Sequence, residues 1–426
     1  MTPTFSIVIF TKNRPQLARF TLESVLRQSF GDFEVILCDN DDTEATCNAV
    51  SHCRDSRFRY HRTGGKLSMV DNWETGLSMA TGRYVLSLSD RMVLKRYALT
   101  QVWREIQEHG LDVYIWQYDL LDQWRRWDHL ERYSGVRGAE VVPSHSLLDQ
   151  FLRAHEGYSA YSHRLPRGMN SCFSRRVMDD IRATTGGRVC LPAAVAPDFV
   201  QAFLTLMHRS SVVVMNKPLY VWGSTALSNG CGTYDGTDTF RRFLSELGRT
   251  EEDLYDRVPI KTIGIHNILC NDLMHLKASL PERFANIQLD VAAYFIVCHA
   301  EIGQWLSVSD PLYASKMGAW RAALAGQPSK LRDEVEQKIA AKERRPAEGE
   351  SEAERFRRMR ADYSPGLGDL PWFSKHGIEN RLRRMVGTLH HAAFRRRRPL
   401  WVGKFRTPLE AADWLERLEE WEQRTR

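Results

Sequence analysis

Three short, largely apolar runs near the N-terminus constrain this chain more than any other feature. They are residues 5–10 (FSIVIF), 33–38 (FEVILC) and 83–88 (RYVLSL). Their length and their β-branched and aromatic content mark them as buried strands. Helix-period segments lie between them. One places Leu17, Phe20, Ser24 and Val25 on a common face. Another covers residues 67–80 and is stopped by Thr81-Gly82. Residues 57–62 read as a weaker, alternating strand. Strands that alternate with helices imply a mostly parallel, doubly wound sheet. Such a sheet binds ligands beyond the carboxyl ends of its strands. Polar clusters stand at those ends here: Thr11 and Asn13, then Asp39, Asp41 and Asp42, then Ser89 and Asp90.

The remainder of the 426 residues divides by composition. We expect three regions: 1–236 for the sheet domain, 237–340 for a helical extension and 341–426 for a charged, basic C-terminal helical region. Residues 113–117 and 212–215 read as strands, and the Trp- and Tyr-rich stretch 116–133 as a partly exposed loop or hairpin. Val291, Tyr294, Phe295, Cys298, Ile302 and Trp305 recur at spacings of three and four, a buried helix face. Residues 342–362 are dense in charge and expected to be exposed. Thr407-Pro408-Leu409-Glu410 starts the last helix with an N-cap, a first-turn proline and a capping-box glutamate. Leu415, Leu418 and Trp421 form its apolar face.

Charge weighs against one function class. There are 59 basic and 53 acidic side chains, and residues 341–426 hold 20 and 14 of them. Residues 1–340 are therefore balanced at 39 and 39, which argues against a nucleic-acid binder. The eight cysteines form no CxxC pair and no zinc-finger spacing with histidine. Reduced thiols and a cytoplasmic location are expected. No run reaches the ~18 apolar residues of a spanning helix, and the N-terminus lacks the pattern of a signal peptide.

The order of strand, T-x-N-R-P, helix, Q-S-F-x-D-F-E-V-I, strand-end Asp, N-W-E and A-x-G-R-Y-V resembles the inverting GT-A glycosyltransferases of family 2. The resemblance extends loosely to about residue 230 and includes Ala196-Pro197-Asp198-Phe199. It implies an α/β GT-A fold, a Rossmann-like, mostly parallel sheet flanked by helices, here with a C-terminal helical appendage. It also implies transfer of a sugar from a nucleotide-sugar donor to a hydroxyl acceptor, with inversion. Asp39 would accept from the nucleotide base. Thr11, Asn13, Arg14, Asp41, Lys66, Asn72 and Asp90 would complete the donor site. Trp73 reads as core packing. Asp198 would be the general base, and a helix-start carboxylate serves that role well because it is rigidly aimed.

The chain departs from the family at Ser89-Asp90-Arg91. Relatives carry an Asp-x-Asp pair there that holds Mg²⁺ or Mn²⁺ on the diphosphate. Asp90 alone is a poor divalent site. Arg91 either replaces the metal as leaving-group stabiliser, pairs with Asp90 on the surface, or marks a fold that binds donor without turnover or uses a donor needing less charge compensation. The segment 222–230 is either a loop that folds over the donor or a connection.

Residues 380–409 contain no acidic side chain and nine basic ones, from Arg381 to Arg406, interleaved with Phe394, Trp401 and Phe405. That pattern suits an anionic membrane surface, with a lipid-linked or anionic glycan acceptor as the companion reading. Nucleic acid is the weaker partner because the body is neutral. The expected process is surface polysaccharide or lipopolysaccharide assembly, with a catalytically degenerate nucleotide-sugar or glycan-binding protein as the alternative.

Overall fold

The computed structural model describes residues 2–122, 129–133, 138–153, 162–191, 194–224, 238–248, 250, 252–306, 310–344, 401–405 and 407–424. The first half runs β1 (Phe5–Thr11), α1 (Pro15–Leu26), β2 (Phe33–Asp39), α2 (Ala45–Val50), β3 (Phe58–Arg62), α3 (Met69–Ser78), β4 (Tyr84–Ser89), β5 (Met92–Leu94), α4 (Ala98–His109) and β6 (Val113–Asp122). Then come β7 (His129–Glu131), β8 (Ala139–Pro143), α5 (Ser144–Leu152), β9 (Ser171–Ser174), α6 (Arg175–Thr184), α7 (Pro197–His208) and β10 (Ser211–Ser224). Helices follow: α8 (Asp238–Glu246), α9 (Ile265–Ser279), α10 (Val291–Trp305), α11 (Pro311–Ala325) and α12 (Ser329–Arg344). The chain closes with β11 (Trp401–Lys404) and α13 (Pro408–Arg424).

One sheet organises all of this. β3, β2, β1 and β4 are consecutive and parallel, with Phe5 facing Phe33 on one side and Tyr84 on the other. This is the doubly wound, mostly parallel arrangement expected from the first ninety residues. Beyond β4 the sheet continues antiparallel through β9 to β6, and β6 pairs parallel with β10. The stretch 116–133 is a hairpin arm in its described part: β6 runs on to Asp122 and β7 returns beside it.

Two apolar layers cover the sheet. One face packs Ile7, Ile9, Leu37 and Leu88 against α1 and α4 residues such as Leu22, Val25 and Leu99. The other packs Val8, Phe10 and Val85 into a cluster that continues without a break through α7 and into α9–α12, as far as Val335. The helical extension thus shares its core with the sheet. On α1 the buried residues are Ala18, Thr21, Leu22, Ser24 and Val25, a face rotated from the expected one. Phe20 instead leans toward the α13 cluster.

The C-terminal end folds back onto the body. β11 pairs with β7, and α13 packs Ala411, Ala412 and Leu415 against Val93, Leu121 and Val221. Thr407 Oγ1 caps α13 by accepting from Glu410 N at 3.1 Å, as the sequence led us to expect. Of the basic stretch 381–406, residues 381–400 and Arg406 lie outside the described residues, as does most of the charged run 342–362.

A buried ion triad fastens α13. Lys95 Nζ lies 2.9 Å from Asp119 Oδ2 and 2.9 Å from Glu419 Oε1, with its side chain 7% exposed. Burial works against the Lys95 charge, but the two carboxylates outweigh it and hold its pKa above the ordinary value. Arg27 to Asp413, and Arg96 N to Glu416, extend the contact. Breaking a buried pair by removing one partner strands the other charge. Lys95→Met is expected to cost ~3–5 kcal/mol in urea unfolding and to expose α13 to limited proteolysis. Glu419→Gln, which leaves the Lys95–Asp119 pair, should cost less.

Candidate functional site

The carboxyl ends of β1, β2 and β4 converge, and polar side chains stitch them together. Asp90, immediately after β4, is fully buried. Its Oδ2 accepts from Thr11 Oγ1 at 2.8 Å and pairs with Arg14 Nε at 2.9 Å. A buried carboxylate must be compensated in this way, since leaving it bare is costly. Thr11 and Arg14 thus lie at the end of β1 with both side chains turned inward onto Asp90.

The β1 and β2 ends are clamped in turn. Asn13 has φ 56°, and it is the one non-glycine residue with positive φ among the described residues. Asparagine tolerates this conformation better than most side chains. Asn13 N donates to Asp41 Oδ1, Asn13 Nδ2 donates to Asp42 Oδ2 at 2.8 Å, and Asp42 N donates back to Asn13 Oδ1 at 3.1 Å. Gly65 comes next: a Cβ there would meet Asp42 Oδ1 at 2.5 Å, and φ is +75°, so only glycine lets the loop after β3 lie against Asp42.

Asp39 differs from its expectation. It is fully buried, with Tyr60 Oη donating to Oδ2 at 2.5 Å and Asp41 N to Oδ1 at 2.8 Å. Its carboxylate is thus engaged within the protein. Burial pushes its pKa up to about 6, with the Asp41 charge adding to that and the Tyr60 hydrogen bond working against it. Asn72 likewise faces inward. It lies on α3 at 5% exposure, and its Oδ1 accepts from the Cys38 thiol at 3.2 Å. Lys66 stands exposed on the loop before α3. Trp73 stacks on Phe10 with centroids 4.7 Å apart, so it is core packing.

Arg91 turns away from Asp90. Its guanidinium lies over the Trp222 ring, 5.7 Å from the centroid, and it acts electrostatically on Asp198. The Asp90–Arg91 surface pair, one of the alternatives for Arg91, gives way to Asp90–Arg14. Asp198 occupies the second position of α7, after Pro197, and the N-cap is Ala196 with no side-chain cap. Burial raises its pKa, while the nearby Arg167 and Arg91 charges and the backbone N–H groups at the helix start lower it. The net direction is upward.

Arg167 escaped the sequence reading. It is 3% exposed, lies over the Phe199 ring at 5.2 Å and is the main cation acting on Asp198. The glycine after it was the available signal: Gly168 has φ +74°, and a Cβ there would sit 2.7 Å from Gln201 Oε1. Tyr118 joins Trp222 at 5.1 Å and His163 at 5.0 Å between ring centroids. Burial and the Arg167 charge push His163 down to about 4, so it is neutral near pH 7. The arrangement joins a shielded carboxylate, two guanidinium groups and aromatic rings beyond the strand ends.

A divalent cation does not fit at Asp90. Its carboxylate is taken by Thr11 and Arg14, and Arg91 beside it is itself a cation. Among the described residues the metal-ligating groups that cluster are Glu105, Glu108 and His109 on α4, away from these loops. The rest of the expected loop 222–230 lies outside the described residues from 225 onward.

Residues 6–165 match the family described as glycosyl transferase family 2. The resemblance drawn from the sequence therefore holds over that segment. A PGL/p-HBAD biosynthesis glycosyltransferase of Mycobacterium tuberculosis is 32% identical over 111 residues, 25% of this chain and 43% of that protein. A GalNAc(5)-diNAcBac-PP-undecaprenol beta-1,3-glucosyltransferase of Campylobacter jejuni is 28% identical over 109 residues, 25% of this chain and 35% of that protein. The chain thus spans less than half the length of these curated relatives. Among solved structures, S. aureus TarS 1-349 with UDP-GlcNAc aligns at TM-score 0.42 and 14% identity, over 80% of this chain and 92% of that one. Among the described residues no helix is long and apolar enough to cross a membrane.

The Asp39 environment makes a direct prediction. A carboxyl ¹³C titration should place its midpoint at about 6. Tyr60→Phe removes the hydrogen bond that favours the charged form, so the midpoint should rise further. The raised pKa means that the folded state keeps a proton the unfolded chain gives up. Its stabilising contribution is present below the unfolded value and fades as pH rises through about 6. Asp39→Asn should flatten stability over that range.

Proposed function

We propose that this protein transfers a sugar from a nucleotide-sugar donor to a hydroxyl acceptor with inversion at the anomeric carbon. The observation that carries the reading is Asp198, held at the start of α7 within the electrostatic reach of Arg167 and Arg91. The acceptor oxygen attacks the anomeric carbon, its proton passes to the Asp198 carboxylate, and the bond to the leaving diphosphate breaks. Negative charge grows on the departing oxygen, where Arg91 replaces a metal as a fixed cation. Trp222 and Tyr118 offer faces on which a sugar ring packs. Thr11, Asn13 and Arg14 act by fixing the loops around the donor.

The acceptor we favour is a lipid-linked or anionic glycan, in surface polysaccharide or lipopolysaccharide assembly. The Campylobacter relative is named for a PP-undecaprenol acceptor, and nine basic side chains from Arg381 to Arg406 suit an anionic leaflet. The second reading, a nucleotide-sugar or glycan binder without turnover, draws on the covered carboxylates of Asp39 and Asp90.

Donor turnover should persist in EDTA, and Asp198→Asn should lower kcat ~10²–10⁴-fold. Full activity in Asp198→Asn sinks the base assignment, and binding without turnover across UDP, GDP, CMP and dTDP sugars favours the second reading. The Asp198 carboxylate must be ionised to accept a proton. The rate should therefore fall with acid through a midpoint above the ordinary 3.8. For the tail, replacing Arg395–Arg398 with alanine should release the protein from anionic liposomes at low salt, and unchanged co-sedimentation removes the membrane contact.

A further inference from the structure

The approach to α7 is held from outside the sheet domain. Helix α7 starts on Pro197 with Ala196 as an N-cap that offers no side-chain acceptor. The turn before it would be left with bare N–H groups. Asp272, on α9, supplies what is missing. Its Oδ2 accepts from Ala196 N at 2.8 Å and from Val195 N at 3.1 Å, and Oδ1 accepts from Val195 N at 3.2 Å. Asp272 is 1% exposed and comes from 74 residues beyond Asp198 in the sequence. α9 is fixed by the same device. Glu301 of α10 accepts from Ile265 N at 2.8 Å and His266 N at 3.1 Å, at a helix start that also lacks its own cap.

We propose that Asp272 is a positioning residue for the transfer reaction: by holding the peptide 195–196 it aims the Asp198 carboxylate at the acceptor hydroxyl. This rests on the role of Asp198 given above. Charged acceptors bind N–H groups about twice as strongly as neutral ones and in narrower geometry. A carboxylate that spans two successive amides sets both the position and the tilt of the residues that follow. A general base misplaced by about an ångström loses on the order of a hundredfold in rate. A second consequence is that the helical extension contributes to chemistry through this peptide.

The test compares Asp272→Asn with wild type and Asp198→Asn, using UDP-sugar hydrolysis or transfer in the full-length protein. Asp272→Asn should lower kcat at least tenfold, leave donor KM within about twofold, and move the acid limb of the kcat–pH profile. Hydrogen exchange of the peptide covering 194–204 should rise while that of the β1–β4 sheet stays unchanged. Asp272→Glu keeps the charge but shifts it by one methylene, and it is read in the same way if the amide variant does not fold. Wild-type kcat and an unshifted acid limb in a folded Asp272 variant overturn the proposal. A fall in kcat matched by an equal rise in KM also overturns it, because that pattern reports a general loosening. Asp198→Asn separates the two levels: if it is inactive while Asp272→Asn is fully active, only the positioning role fails. If it is fully active, the catalytic reading itself fails.

Discussion

A single buried carboxylate decides how the site is arranged. Asp90 has no exposed surface, so its charge must be met inside the protein. Thr11 and Arg14 meet it from the end of β1. That choice folds the T-K-N-R-P turn inward and brings Asn13 into the left-handed region against Asp41 and Asp42. It also leaves Arg91 to turn the other way, over Trp222 and toward Asp198. The resemblance implied a turn that offers an Asp-x-Asp pair of carboxylates to a metal. Here the same turn presents a cation, and its remaining carboxylate serves the scaffold.

The sheet was legible because its signals are local. Apolar runs of strand length, helix-period segments between them and polar residues at the strand ends each sit within a dozen residues. β1, β2, β4 and α3 therefore fall within two residues of their expected bounds. The helix start at Pro197-Asp198 was legible for the same reason, since proline announces it. Pairings across the fold were not. Arg91 follows Asp90 in the chain and was one candidate for its partner, yet the partner is Arg14, set by how β1 lies beside β4. Arg167 and Asp272 owe their roles to elements that meet only after folding. Asp272 did leave a trace, as a charge inside the apolar stretch of α9, where a buried acid needs an explanation.

Asp39 and Asn72 show the opposite limit. Both were assigned to the donor by the resemblance, and both carry hydrogen bonds from neighbours, Tyr60 and Cys38, that no short motif includes. The extension is a related case. Its composition turns helical at about residue 237 and suggests a separate unit, but its apolar faces complete the layer that the sheet begins. Charge reads differently as well once α13 is in place. The basic excess of the last fifth ends in a helix whose acidic residues Asp413, Glu416 and Glu419 meet Arg27, Arg96 and Lys95 of the body.

The Lys95–Glu419 contact closes a loop of 324 residues. At ordinary elongation rates of about 5–20 residues per second, the ribosome needs on the order of tens of seconds to supply the second partner after the first. During that interval Lys95 and Asp119 face each other without Glu419, and the β7 edge waits for β11. The nascent chain therefore carries an open strand edge, the kind of surface that invites pairing with other chains. Its completion depends on β11 and α13, so this corner of the sheet rests on contacts of high sequence separation, the kind that pair late.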